Sequence, residues 1–119
     1  MSVILIVEDN EKNMKLARDI LQAKGYTTLE AITGEEGVRL AQENKPDLVL
    51  MAIQLPGING IEAFRQLRAD PQTAAIPVVA LTASVTPTDA TQITAAGFTA
   101  VLSKPINLKE FVETGKRVV

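Results

Sequence analysis

The sequence contains no cysteine, no histidine and no tryptophan, and only 3% of its residues are aromatic. Without cysteine, disulfides and thiol catalysis are excluded, and without cysteine and histidine the usual zinc sites are excluded as well. General acid–base chemistry would therefore fall to carboxylates, lysine or tyrosine. Any metal site in this chain must be built from oxygen ligands.

The sequence also lacks a large excess of charge of either sign, and it lacks long hydrophobic runs. The 22% of charged residues give a formal net charge of -2, so nothing indicates binding to nucleic acid or to an anionic membrane. No segment approaches the roughly 20 apolar residues of a membrane span, and the N-terminus is unlike a signal peptide. A chain of 119 residues with 46% hydrophobic content suits one compact core. We expect a single cytoplasmic domain over residues 1–119.

Short apolar runs alternate five times with helix-like segments. We predict strands at Val3–Val7, Thr27–Ala31, Leu48–Met51, Val78–Leu81 and Ala100–Leu102. The first, third and fourth runs are almost entirely apolar, which indicates strands covered on both faces. The sequence therefore predicts an α/β fold in which a five-stranded parallel sheet carries helices on both faces.

Helix ends are marked by capping residues. Asn10 is a candidate N-cap of the first helix, and Gly25 follows its last turn. Thr33 with Glu36 three residues later forms a capping-box pattern for the second helix. Two further helices are predicted: Gly60–Ala69, which Asp70-Pro71 ends, and Asp89–Ala96, which Gly97 ends. A last helix is predicted after Asn107, where Glu110 repeats the capping-box pattern.

Polar side chains follow the predicted strands at the edge of the sheet where ligands bind in open parallel sheets. The residues past the strand ends are Glu8, Asp9 and Asn10, then Ala52, then Thr82 and Ala83, and finally Ser103, Lys104 and Pro105. Two carboxylates suit Mg²⁺, and a hydroxyl and a lysine suit a phosphoryl group. Such a site also needs an oxygen nucleophile, which the methyl side chain of Ala52 does not supply.

Each of these residues also has a purely structural interpretation. Glu8 and Asp9, taken alone, could simply end a strand and cap a helix. Thr82 alone is more often a strand former, and a Ser-Lys-Pro segment at position 103 is more often an exposed turn. The functional interpretation is favoured over the structural one because all of these residues fall at strand ends of one predicted sheet.

The chain resembles the receiver domain of bacterial response regulators over essentially its whole length. Within that family it is most similar to the stand-alone cell-cycle regulators of the DivK kind. The motifs that carry the resemblance are Leu5–Asn10, Lys45–Met51, Gln54–Gly60, Ile76–Ala83 and Lys104–Pro105. The resemblance implies a CheY-like, flavodoxin-like (βα)5 fold with strand order 2-1-3-4-5. It also implies phosphoryl transfer from a histidine kinase or phosphotransferase to an aspartate.

The resemblance assigns a role to each candidate site residue. Glu8 and Asp9 match the acids that bind Mg²⁺, and the backbone carbonyl of Gln54 matches the main-chain ligand. Thr82 matches the hydroxyl that follows the phosphoryl group, and Lys104 matches the cation of the active site. Ala52 matches the phosphoacceptor, so we expect a phosphorylation-defective chain with weakened Mg²⁺ binding.

The chain departs from the family pattern a second time at Val101. Many receivers carry an aromatic residue at this position, three before the lysine, and its rotation accompanies activation. A β-branched valine has one stiff torsion and cannot signal by such a rotation. Two explanations of Ala52 stay open: an engineered acceptor-null variant, which the intact neighbouring residues favour, and a natural pseudo-receiver, which Val101 favours.

Other classes of protein fit the residues less well. A flavodoxin-like cofactor binder needs glycines and hydroxyls after the first strand, where this chain has Glu8 and Asp9. A phosphatase of the Asp-x-Asp type needs a motif that occurs nowhere in the sequence. A pure interaction module differs from a disabled receiver only in history and partners. We therefore expect a non-enzymatic protein whose downstream target binds the fourth helix, fifth strand and fifth helix, by analogy with the family.

Overall fold

Five strands alternate with four helices in the part of the chain that this computed structural model describes, residues 3–82 and 87–103. The strands are β1 (Val3–Val7), β2 (Thr27–Ala31), β3 (Leu48–Ala52), β4 (Val78–Thr82) and β5 (Ala100–Ser103). The helices are α1 (Glu11–Ala23), α2 (Gly34–Asn44), α3 (Gly60–Ala69) and α4 (Pro87–Ala96). All strand pairs are parallel, in the order β2-β1-β3-β4-β5, which confirms the predicted topology. Within the described ranges, no helix has the length and apolar character needed to cross a membrane.

The sheet separates two hydrophobic clusters. Leu5 and Val7 of β1 pack with buried residues of α2 and α3, and the alternate residues Ile4 and Ile6 pack with buried residues of α1. Successive side chains of a strand point to opposite faces, so this division places helices on both sides of the sheet. Every residue of β3 is buried, as expected for a central strand covered on both faces.

Helix α1 is capped at both ends as the sequence predicts. The Asn10 side chain accepts a hydrogen bond of 3.1 Å from the N–H of Asn13, which satisfies one of the free donors of the first turn. After the last turn, Gly25 adopts a φ of 88°. The N–H groups of Gly25 and Tyr26 donate back to carbonyls of the last turn, which forms a Schellman motif and turns the chain towards β2.

The cap of α2 differs in one hydrogen bond from the predicted capping box. The Thr33 hydroxyl accepts from the N–H of Glu36 at 3.1 Å, as predicted. The Glu36 carboxylate, however, accepts from the N–H of Ile32 at 3.2 Å, one residue earlier than the pattern implies. The box is therefore reciprocal, but it extends one residue into the β2–α2 connection.

Three strands and one helix have different bounds from those predicted. Strands β3, β4 and β5 each extend one residue further, to Ala52, Thr82 and Ser103, because Ala52 pairs with Leu81 and Thr82 with Ser103 in the ladder. Ala52 and Thr82 are thus the last residues of strands and do not follow them. Helix α4 starts at Pro87 rather than Asp89, since proline suits a first helical position that needs no N–H. The helix predicted after Asn107 lies outside the described residues.

Candidate functional site

The ends of β1, β3 and β4 meet at one edge of the sheet. Val7 pairs with Met51, so the next residue, Glu8, continues β1 level with Ala52 at the end of β3. Thr82 ends β4, one position beyond the Ala52–Leu81 pair. This edge includes the point where the chain order reverses, since β1 lies between β2 and β3. Open parallel sheets bind ligands at such a point.

The two neighbouring acids at this edge have different environments. The Glu8 side chain is buried, with 1% of its surface exposed, whereas Asp9 is exposed. One carboxylate oxygen of Glu8 accepts a hydrogen bond of 3.3 Å from the N–H of Asn10, just before α1. The N–H groups and dipole at the start of a helix favour negative charge nearby. Glu8 is therefore held in place by local structure, while Asp9 faces solvent.

Ala52 is fully buried at the end of β3. Its side chain offers a methyl group where the predicted site requires an oxygen nucleophile. Thr82 is half-buried at the same edge. Val101, at the position that is often aromatic, is half-buried against the cluster on the α2–α3 face. Ala83, Lys104 and Pro105 lie outside the described residues.

The loop between β3 and α3 starts beside this edge. The N–H of Ile53 donates to the carbonyl of Leu81 at 3.0 Å, and the carbonyl of Ile53 accepts from the N–H of Gly60 at 2.8 Å. Gln54, the predicted main-chain ligand, therefore follows a residue that is hydrogen-bonded on both its N–H and its carbonyl. The Gln54 residue itself is exposed.

The donor set fits a magnesium ion on chemical grounds. Mg²⁺ commonly binds through one or two carboxylates and completes its six ligands with water or phosphate oxygens. Glu8 and Asp9 are adjacent carboxylates, one held and one exposed. Within residues 3–82 and 87–103, no cluster of three acids is present that could hold a metal by itself. Two carboxylates and a carbonyl are therefore what the described residues can provide.

Sequence reasoning missed two features around this edge. Glu8 and Asp9 border a cavity of about 360 Å³ between α1 and β2, where Arg18 and Glu30 form an ion pair of 3.2 Å. In addition, the first turn of α2 packs against the β3–α3 loop through glycines. The glycines are visible in the sequence, but no local pattern indicates which residues they contact.

Comparison with known proteins supplies the family. Residues 4–116 match the model of the response regulator receiver domain. The chain belongs to this family. As a receiver domain, it is part of two-component signalling, and its five-stranded sheet with order 2-1-3-4-5 is the fold that the family resemblance implied.

Curated relatives place this receiver domain near the DivK regulators. It is 46% identical over 113 residues to the polar-differentiation response regulator DivK of Brucella anthropi, covering 95% of this chain and 92% of the relative. The DivK protein of Brucella ovis shows the same identity and coverage. The resemblance to DivK-like receivers predicted from the sequence is thereby confirmed.

Solved structures of receiver domains superpose closely on this one. The chemotaxis protein CheY4 of Vibrio cholerae has a TM-score of 0.92 and 28% identity, covering 100% of this chain and 99% of that chain. The receiver domain of a sensor histidine kinase from Pseudomonas aeruginosa has a TM-score of 0.90 and 32% identity, covering 98% and 96%. That second structure holds a magnesium ion coordinated in its active-site cleft.

Proposed function

We propose that this receiver domain cannot accept a phosphoryl group at position 52 and acts through protein contacts rather than by catalysis. The observation that carries the proposal is the placement of Ala52. It ends β3 fully buried, in register between the end of β1, which leads to Glu8, and the end of β4, which carries Thr82. The position is central to the edge, and its side chain has no oxygen.

The missing nucleophile prevents the first chemical step. With an aspartate at position 52, a carboxylate oxygen would attack the phosphorus of the donor, the bond from phosphorus to the leaving group would break, and an acyl phosphate would form. The methyl group of Ala52 has no lone pair to begin this step. Glu8 is a poor substitute, because its carboxylate is buried and oriented by the N–H of Asn10.

We also propose that Glu8, Asp9 and the carbonyl of Gln54 hold Mg²⁺. When bound, the cation supplies positive charge next to the oxygens of a phosphoryl group. The magnesium ion in the related Pseudomonas aeruginosa receiver supports this assignment. Thr82 would donate a hydrogen bond to a phosphoryl oxygen, and Lys104 would provide the neighbouring positive charge. Without a third carboxylate, Mg²⁺ affinity should be about tenfold or more below that of the Ala52→Asp protein, since a charge pair at ~4 Å is worth up to about 4 kcal/mol.

The partners follow from the family. A histidine kinase or phosphotransferase would still contact the edge of the sheet, since Ala52 is fully buried and takes no part in the surface that such a partner meets. A downstream protein would bind the face formed by α4, β5 and the helix predicted after Asn107. Under this proposal, such contacts do not depend on phosphorylation of the chain.

Labelling with a small phosphodonor tests the proposed function. The chain is incubated with acetyl phosphate and Mg²⁺, and intact mass is measured beside the Ala52→Asp and Ala52→Asn proteins. We expect the mass of one phosphoryl group only on the Ala52→Asp protein, because asparagine has the shape of aspartate without its nucleophilic carboxylate. A phosphoryl group mapped to Glu8 or Asp9 of the unmodified chain would refute the proposal.

A further inference from the structure

The β3–α3 loop is closed at its base by hydrogen bonds at both of its ends. Its base is the pair of hydrogen bonds at Ile53, one to the carbonyl of Leu81 and one from the N–H of Gly60. Next to this base lies the N-cap Asn59, whose side chain accepts a hydrogen bond of 2.9 Å from the N–H of Glu62 in α3. Between these points lie residues 54–58, which include the carbonyl of Gln54.

The first turn of α2 packs against the second half of this loop. A Cβ atom added to Gly34 would lie 2.8 Å from Cγ1 and 2.9 Å from the carbonyl oxygen of Ile58. Because Gly34 is buried and one of the contacted atoms belongs to the backbone, this approach leaves no room for a side chain at position 34 unless the loop moves.

The next residue of α2 contacts the loop from its exposed side. Gly57 has a φ of 74°, and a Cβ atom built on it would lie 2.6 Å and 2.9 Å from the two carboxylate oxygens of Glu35. The Glu35 carboxylate therefore occupies the place that a side chain at position 57 would take. Gly34 and Glu35 thus lie against two successive loop residues, Ile58 and Gly57 respectively.

We propose that Gly34 and Glu35 are positioning residues for the metal site. This inference rests on the proposed function, in which the carbonyl of Gln54 is a ligand of Mg²⁺. Gln54 directly follows Ile53, whose N–H and carbonyl are both hydrogen-bonded, and a few residues later the same loop lies against the first turn of α2 at residues 57 and 58. Holding those residues keeps the Gln54 carbonyl in one orientation, so α2 contributes to metal affinity without touching the metal. Groups that orient metal ligands commonly change affinity by 10–100-fold when they are removed.

Four substitutions in the Ala52→Asp protein, where the proposed donor set is complete, test the inference by calorimetric titration with Mg²⁺. Glu35→Ala removes the contact with Gly57, and Gly34→Ala forces Ile58 away from the helix. We expect each to lower Mg²⁺ affinity about tenfold. Glu35→Gln keeps the shape and one acceptor oxygen of the side chain but removes its charge. Its Mg²⁺ affinity should stay within about twofold of that of the Ala52→Asp parent. Glu43→Ala removes an exposed carboxylate elsewhere on α2, where it pairs with Arg39, and controls for the loss of a surface charge.

A second measurement follows the loop itself, without metal, in the chain as it stands. Amide chemical shifts of residues 54–58 should change in the Glu35→Ala protein and remain in place in the Glu43→Ala protein. This readout separates a displaced loop from a general loss of stability. It also does not depend on whether Gly34→Ala folds, since Glu35 is exposed and its replacement creates no cavity.

The outcomes separate the two proposals. If the Ala52→Asp protein binds Mg²⁺ and Glu35→Ala binds it equally well, the positioning role is wrong while the metal site stands. If Glu35→Gln loses as much affinity as Glu35→Ala, Glu35 acts by charge and the positioning role is again wrong. If the Ala52→Asp protein binds no Mg²⁺, the metal site is refuted, and the role of Gly34 and Glu35 is refuted with it.

Discussion

Gly60 lies directly against the carbonyl oxygen of Ala52, so close that a Cβ atom at position 60 would overlap that oxygen and approach the Cα of Ile53 to 2.8 Å. The N–H of Gly60 meanwhile donates a hydrogen bond of 2.8 Å to the carbonyl of Ile53. The first residue of α3 is thus packed onto the backbone at the end of β3. The absence of a side chain at position 60 is a condition for this arrangement.

We expect Gly60→Ala to lower the free energy of unfolding by about 1–3 kcal/mol, as overpacking against atoms that cannot move aside generally does. Urea denaturation followed by circular dichroism measures the change. Gly25→Ala is the matched control, because Gly25 has open space around its Cα but a φ of 88°, so it reports only the cost of positive φ. Equal free energies of unfolding for the present chain and its Gly60→Ala variant would contradict the packing of Gly60 against Ala52.

Introducing a polar side chain at Ala52 should destabilise the protein without metal. Ala52→Asn buries an amide and should cost about 1–3 kcal/mol, and Ala52→Asp should cost more because its charge also lies near Glu8 and Asp9. Mg²⁺ binds only the folded state and should therefore raise the melting temperature of the Ala52→Asp protein well above any effect on Ala52→Asn. Paired thermal melts with and without Mg²⁺ measure this, and equal stabilisation of both variants would argue against one coupled site.

Lys45 is the one non-glycine residue with a positive φ in the described parts of the chain, at 46°, where it ends α2. A side chain in this conformation costs about 1–2 kcal/mol. Glycine avoids that cost, but it loses more conformational entropy on folding, which offsets part of the gain. We expect Lys45→Gly to raise the free energy of unfolding by roughly 0.5–1 kcal/mol. Lys24→Gly is the control, since Lys24 caps α1 with an ordinary φ of -91°. The prediction fails if both lysine substitutions destabilise the protein.

Arg68 joins α3 to the segment before β4. Its guanidinium donates a hydrogen bond of 2.7 Å to the carbonyl of Ile76 and lies 4.6 Å from the ring centre of Phe64, which stacks on Phe98 at 4.1 Å. Burial lowers the pKa of Arg68, so desolvation offsets part of the gain. We expect Arg68→Met to cost about 1–2 kcal/mol.

Arg65→Met provides the comparison for Arg68→Met, because Arg65 is an exposed arginine on the same helix whose ion pair with Glu62 should contribute little. The difference in free energy of unfolding between the two variants should stay constant from about pH 5 to pH 9, since a guanidinium remains protonated throughout that range even with a lowered pKa. Urea titrations at both ends of the range measure it. Equal effects of the two substitutions would show that the hydrogen bond to Ile76 adds nothing to stability.

Most of the fold could be predicted because its signals are local. The apolar runs of β1 and β3, the Asn10 cap and the glycine after α1 each act through residues close in the chain, and each appears as expected. Strand ends were the less accurate part. Whether Ala52 and Thr82 continue a strand depends on the ladder partners Leu81 and Ser103, which are distant in sequence and do not alter the local pattern.

The candidate site divides in the same way. The residues themselves could be read from the sequence, and topology alone brought Glu8, Asp9, Ala52 and Thr82 to one edge. The sequence could not predict that Glu8 is buried while Asp9 is exposed. Two adjacent acids have the same local sequence signal, and only the packing of the helix and neighbouring strands around one of them distinguishes their environments. The prediction for Lys104 stays a prediction, since it lies outside the described residues.

The sequence by itself determined the chemistry that is possible: the membership of the receiver family, the oxygen-only donor set and the lack of a nucleophile at position 52. These follow from side-chain identity, which no folding changes. The tertiary structure alone decided which acid is buried, where β3 ends and which residues of α2 face the β3–α3 loop. These depend on close approaches between segments far apart in the chain, such as Gly34 to Ile58, and the space that a glycine leaves has no meaning until its neighbour is known.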